Sequence, residues 1–249
     1  MAPLARTIAL ASAITMASAV PKPQSFERAG LIVGGEAAAA GDFPYIVSLQ
    51  SGSHFCGGSL LNANTVLTAA HCSTSTAPSS VSIRAGSLDS TAGGVTANVA
   101  EIIIHPGYVA STFENDIAIW KLASPVAEGG AVGFASLPAA GFDPADGAIL
   151  TVAGWGAISE GGPGSDTALQ KVTIPVVDRD TCNAAYGGSI TDVMFCAGVS
   201  EGGLDSCQRD SGGPIRDDAT GVVVGVVSWG TGCAVRTNPL PPSDTPDLC

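Results

Sequence analysis

The chain has 249 residues, 45% of them hydrophobic, enough to bury the core of one large domain or two small fused ones, which excludes a disordered chain. With 22 acidic against 10 basic side chains the net charge is −12, which argues against nucleic acid or an anionic membrane as partner. The 32 glycines and scarce aromatics fit short strands joined by many turns and do not fit a helical bundle.

In chain order, Met1 to Arg6 is a positive start, Ile8 to Ala17 is an apolar run too short to span a bilayer, and Ala17-Ser18-Ala19 has the small-x-small pattern of a signal-peptidase site. These predict a signal peptide over 1–19 and a protein secreted to the extracellular space. Residues 20–31 are polar and turn-rich and read as a propeptide. The mature domain is expected over 32–249. Strand-length apolar runs follow at Tyr45–Leu49, Thr65–Ala69, Val81–Ala85, Val99–Ile104, Asp116–Leu122, Ile149–Ala153, Leu169–Val177 and Val222–Trp229, with turn residues between them. Asp178–Tyr186 is the one short helix predicted, capped by Asp178. Residues 73–80 and 161–165 read as loops. Many short strands with tight turns point to an all-β sandwich or barrel.

Seven cysteines stand at 56, 72, 182, 196, 207, 233 and 249. Export makes disulfides their default use, and one cysteine must be left over. Composition leaves the pairing open. There is no zinc-type Cys-x-x-Cys spacing, so no metal and no cofactor are expected.

Nucleophilic chemistry is written most densely at Asp205-Ser206-Cys207-Gln208-Arg209-Asp210-Ser211-Gly212-Gly213-Pro214. A serine in a glycine-rich turn can be held exposed, with backbone N–H groups aimed at a developing oxyanion. Its hydroxyl needs a base, and the chain has three histidines, His54, His71 and His105. Each alone is as readily structural; His71 differs in preceding Cys72, which would pin its backbone. Asp116 opens an apolar run, which suits a buried carboxylate orienting the base.

Together these segments resemble the trypsin family of serine peptidases, most nearly its short fungal members. The resemblance runs from Ile32 to about Ala234. It is carried by Ile32-Val33-Gly34-Gly35, Cys56-Gly57-Gly58-Ser59-Leu60, Thr68–Cys72, Asn115–Ile119, Ala153-Gly154-Trp155-Gly156, Phe195-Cys196-Ala197-Gly198, Asp205–Pro214 and Val227-Ser228-Trp229-Gly230. It implies an all-β fold of two packed six-stranded antiparallel barrels with the active site in the cleft between them. It implies that Ser211 attacks the scissile carbonyl, His71 shuttles the proton, Asp116 orients His71, and the N–H groups of Arg209 and Ser211 form the oxyanion hole. Asp205 would stand at the base of a pocket for Lys or Arg with Ser206 beside it, and Ser228, Trp229 and Gly230 would line the substrate. Ile32 would become a new N-terminus, its ammonium pairing with Asp210. The resemblance also pairs Cys56 with Cys72, Cys182 with Cys196 and Cys207 with Cys233, each bridge contributing on the order of 3 kcal/mol. Its partners would be protein or peptide substrates with Lys or Arg, and protein inhibitors, acting on a monomer.

The sequence departs from the family at three places. The bond before Ile32 follows Leu31, not a basic residue, so activation by a trypsin activity is not expected. Arg209 stands where the family has glycine; its cation is expected toward the leaving-group side, weakening protein inhibitors, against the alternative of a solvated side chain without consequence. Residues 235–249 carry four prolines, which exclude a regular helix and a central strand. The C-terminal strand and helix thus look truncated or replaced. The alternative reading is accordingly a catalytically impaired homologue that binds proteins or folds poorly. A structural or carbohydrate-binding barrel is a third reading, and it has no need of an activated serine.

Overall fold

Strands buried almost throughout (β2 Ile46–Gln50, β4 Thr65–Thr68) and alternating ones (β5 Ser82–Ala85, β7 Ala118–Leu122) build the first half of the chain. A computed structural model of the protein describes residues 34–200 and 202–233. The expected signal peptide (1–19), propeptide (20–31), Ile32 and the atypical tail (235–249) with Cys249 lie outside the described residues. Strands β2 (Ile46–Gln50), β3 (His54–Asn62), β4 (Thr65–Thr68), β5 (Ser82–Ala85), β6 (Val95–Ile104) and β7 (Ala118–Leu122) close into an antiparallel barrel in the order β2-β3-β4-β7-β6-β5. On β7, Ala118, Trp120 and Leu122 point inward while Ile119 and Lys121 are only partly covered. Val47, Leu49, Leu60, Val66, Ile83 and Trp120, none of them exposed, fill the barrel. Each such side chain contributes about 1.5–3 kcal/mol by leaving water.

The second half forms a six-stranded antiparallel sheet. Its path runs β1 (Glu36–Ala37), β9 (Gln170–Val177), β8 (Ile149–Gly154), β11 (Pro214–Asp217), β12 (Val223–Val226), with β10 (Cys196–Ala197) also on β9. Leu150, Val152, Ile174 and Ile215 make its core. The mostly β architecture, with one closed barrel and a second sheet, agrees with the expected fold class. Among the described residues the second sheet is open and β12 pairs only with β11. Among the described residues the single α-helix, α1 (Arg179–Ala185), is capped as predicted, the Asp178 carboxylate accepting from Thr181 N at 2.8 Å. No helix among the described residues is long and apolar enough to cross a membrane.

Four strands were hidden in the sequence, the two-residue β1 and β10 and the longer β3 and β11. In β3 the pair Gly57-Gly58 interrupts any alternation. The structure needs them small, because a Cβ on Gly58 would sit 2.9 Å from both Leu49 Cδ1 and Val66 Cγ1. β11 opens on Pro214, the strand position that tolerates proline. The halves are joined through backbone: Gly57 N donates to Ser211 O at 2.7 Å and Val223 N to Ser136 O at 2.9 Å. Trp155 Nε1 donates to Leu88 O at 2.8 Å.

Candidate active site

The cleft is assembled from segments far apart in sequence. Strand β4 ends at Thr68 and delivers His71 one turn later, where the Cys56–Cys72 disulfide ties the neighbouring backbone to β3. Asp116 stands just before β7, the strand that pairs with β4 through Thr68↔Ala118. That register brings acid and imidazole together. Asp116 Oδ2 accepts from His71 Nδ1 at 2.6 Å, and Oδ1 accepts from His71 N at 2.8 Å. Ser228 Oγ donates to the same Oδ2 at 2.5 Å. The Asp116 side chain is only 3% exposed. Burial alone would raise its carboxyl, but the bonds from His71 and Ser228 outweigh it and hold it below the usual range. A carboxylate there fixes the hydrogen on His71 Nδ1 and leaves Nε2 with its lone pair.

Ser211 sits in the tight turn before β11. Gly212 in that turn has φ +80°, and a Cβ there would overlap Thr68 Oγ1, so the turn lies against the end of β4. Gly212 N donates to Val227 O at 2.8 Å and Val227 N to Gly213 O at 3.0 Å, one residue from the Ser228 that bonds Asp116. Ser211, His71 and Asp116 therefore belong to one bonded framework. Among the described residues no direct Ser211–His71 hydrogen bond is formed; such bonds often tighten only around substrate.

Beside Ser211 lies a cavity of about 220 Å³ lined by Ser206, Cys207, Ser211, Ser228, Trp229 and Gly230 among others. Asp205 and Ser206 are 2% and 1% exposed. Ser228, Trp229 and Gly230 follow β12 outside any assigned strand. The Cys207–Cys233 bridge closes one side of the cavity, and Cys182–Cys196 ties α1 to β10. All three expected disulfides are present. A larger cavity of about 530 Å³ shares Asp116 and Ser228 but not Ser211, and Leu137, Phe142 and Val193 give it apolar walls. The described residues that cluster like metal ligands are Cys56, His71 and Cys72, and the disulfide removes both thiolates from such use.

Asp210 is wholly buried and accepts from Gly156 N at 2.8 Å and Cys207 N at 2.9 Å. Burial pushes its carboxyl up to about 7, against those bonds and the Arg209 charge. A cation brought to it would return it to the ionised form.

Three contacts were not legible beforehand. Ser228, expected along the substrate, does line the cavity, and its hydroxyl also bonds Asp116. Phe113, with φ +55°, packs edge-on to His71 at 5.7 Å and stacks on Trp229 at 6.1 Å. Arg209 has φ +80°, the left-handed region that glycine occupies freely. Its guanidinium is not loose in solvent. Nη2 bonds Asp166 Oδ1 at 2.7 Å and His54 O at 2.8 Å.

His54 lies under that loop at 4% exposure. Its Nε2–H donates to Arg209 O at 3.1 Å, so Nδ1 accepts from Ser48 Oγ at 2.9 Å. Burial pushes the imidazole down to about 4, the bond to the Arg209 carbonyl opposing and the Arg209 charge adding. Above about pH 6.5 it is neutral folded and unfolded alike. As pH falls to 4 the unfolded chain takes a proton that the folded chain refuses, so stability is lost, by about 3 kcal/mol at the lower end. Asp210, raised rather than lowered, works in the opposite direction over the same range. The measurement is therefore a difference: in urea unfolding, the stability lead of the wild type over His54→Gln should shrink by about 3 kcal/mol between pH 7.5 and 4. A lead independent of pH would contradict a neutral, buried His54.

A sequence profile of the family described as Trypsin matches residues 32–241. "Trypsin Blo t 3" of Blomia tropicalis is 47% identical over 239 residues, covering 93% of this chain and 89% of its own length. "Trypsin alpha" of Drosophila erecta and of Drosophila melanogaster are each 42% identical over 240 residues, covering 94% of this chain and 91% of theirs.

Proposed function

The chain belongs to the trypsin family and is a serine endopeptidase, and from that premise we propose that it is secreted and cleaves after Arg or Lys through an acyl-enzyme on Ser211. The observation that carries the reading is the His71–Asp116 pair: 2.6 Å, with an ionised acid, within the framework that holds the Ser211 turn. Ser211 Oγ attacks the scissile carbonyl and its proton passes to His71 Nε2. The tetrahedral oxyanion is met by the N–H groups of Arg209 and Ser211. His71 then protonates the leaving amine, the C–N bond breaks, and water repeats the sequence on the acyl-enzyme. Asp116 stabilises the imidazolium in both halves.

Preference for a cation follows from Asp205. Asp205, buried to 2%, is not itself in the cavity lining but directly precedes Ser206, which is, and a buried carboxylate there would gain from a guanidinium or ammonium side chain. Activation is part of the same reading: signal peptide 1–19 and propeptide 20–31 are removed, and the Ile32 ammonium pairs with Asp210. A buried carboxyl pushed up to about 7 supports this, since a paired cation lowers what burial raised. Because Leu31 precedes the bond, the new N-terminus needs a different peptidase or trimming after a first cut. The second reading, an impaired homologue, is favoured by the four prolines of 235–249.

Arg, Lys and Phe esters offered to the chain beginning at Ile32 separate the two. The endopeptidase reading expects kcat/KM for Arg and Lys at least about a hundredfold above Phe, the worth of one well-paired buried charge. Fluorophosphonate labelling without turnover of any ester would favour the impaired homologue.

A further inference from the structure

Arg209 occupies a backbone conformation it should resist. For a residue with a Cβ the left-handed region costs roughly 1–2 kcal/mol, and glycine avoids that cost. At φ +80° Arg209 nevertheless sits there, next to the buried Asp210 and two residues from Ser211.

Three tethers hold it. Arg209 Nη2 is paired with Asp166 Oδ1 at 2.7 Å and donates to His54 O at 2.8 Å, while the Arg209 carbonyl accepts from His54 Nε2 at 3.1 Å. His54 thus grips both ends of the residue. Asp166 is itself fixed, its carbonyl accepting from Ser90 N and Ser90 Oγ, both at 2.8 Å. The guanidinium crosses Gly164, where a Cβ would lie 2.5 Å from Arg209 Nη1. The preceding residue is braced from the same loop, Ala157 N donating to Gln208 O at 2.8 Å and Gly161 N to Gln208 Oε1 at 3.2 Å.

We propose that Asp166 is a positioning residue for the oxyanion site: its ion pair with the Arg209 side chain, together with His54, holds the Arg209 peptide in the left-handed orientation that aims its N–H. The proposal rests on the reading of Arg209 and Ser211 as oxyanion donors. Glycine at 209 would need no such support, so Arg209 and Asp166 work as a pair. Without Asp166 the Arg209 backbone relaxes toward negative φ and the donor turns away from the reacting carbonyl. The donor is engaged most strongly in the transition state, so the loss falls on kcat and not on KM.

The test is a cycle in the full-length protein, processed as in secretion and counted by active-site titration. Its members are the wild type, Asp166→Asn, Arg209→Gly and the double variant. Asp166→Asn should lower kcat for an Arg ester about tenfold with KM within twofold, while in the Arg209→Gly background the same change should alter kcat by less than twofold. Asp166→Glu, which keeps the charge, should recover part of the loss. Equal losses in both backgrounds, or no loss in kcat, would overturn the proposal. Thermal unfolding of the four proteins reads the coupling without catalysis. Asp166→Asn should lower Tm by about 3 °C with Arg209 present and by under 1 °C with glycine there. Equal Tm shifts overturn the pairing; coupled Tm shifts in a wild type without turnover leave the pairing standing and place the failure in the Ser211 reading. If Asp166→Asn does not fold, the double variant must fold and match Arg209→Gly in Tm, and its failure to do so also overturns the proposal.

Discussion

Asp116→Asn should lower kcat by roughly ten-thousandfold while KM moves no more than a few-fold. The size follows from what the carboxylate holds. Oδ2 receives two hydrogens, from His71 Nδ1 and Ser228 Oγ, and Oδ1 receives a third from His71 N. An amide has one accepting oxygen and one donating nitrogen. With its oxygen on the His71 N–H, its nitrogen faces His71 Nδ1 and donates to it. The imidazole proton then moves to Nε2, the atom that must be empty to take the Ser211 proton. The geometry is nearly unchanged and the tautomer is wrong, so binding survives and chemistry fails. The measurement is steady-state hydrolysis of an Arg ester by titrated enzyme; a loss below tenfold would mean that Asp116 does not govern the base.

Asp205→Ser should reduce kcat/KM for Arg and Lys esters by about a thousandfold and leave the Phe ester within a few-fold. Asp205 is buried to 2%, so its charge is expensive to maintain and gains strongly from a cationic partner. Removing one member of a buried pair costs about 3–5 kcal/mol, between a hundredfold and several thousandfold. A substrate guanidinium entering the variant pocket would pay that cost, and a phenyl ring would not. Parallel losses on all three esters would show that the substitution damaged the pocket and that Asp205 does not select the cation.

Much of this was written locally in the sequence. The runs 205–214 and 68–72 carry their chemistry in consecutive residues, and strands such as Ala118–Leu122 alternate in burial for their whole length. The Asp178 cap announced α1. What stayed hidden depends on pairing across long separations. Ser228 meets Asp116 over 112 residues and His54 meets Arg209 over 155, and nothing in either segment alone names its partner. β3 was hidden for a different reason. Its glycines serve close backbone approach, with a Cβ on Gly57 set to lie 2.8 Å from Gly213 Cα, and so erase the alternation by which strands are read. The pairing of the disulfides likewise came from resemblance and not from composition, which left several arrangements open.

The proposed transfer of the Ser211 proton to His71 Nε2 makes one testable claim, that this serine alone is activated. Exposure of the processed protein to a fluorophosphonate, followed by peptide mass spectrometry, reads it directly. The account predicts a single phosphonyl adduct, on Ser211, forming far more slowly in Asp116→Asn. An adduct on another residue, or labelling of Ser211 at an unchanged rate in that variant, would contradict it.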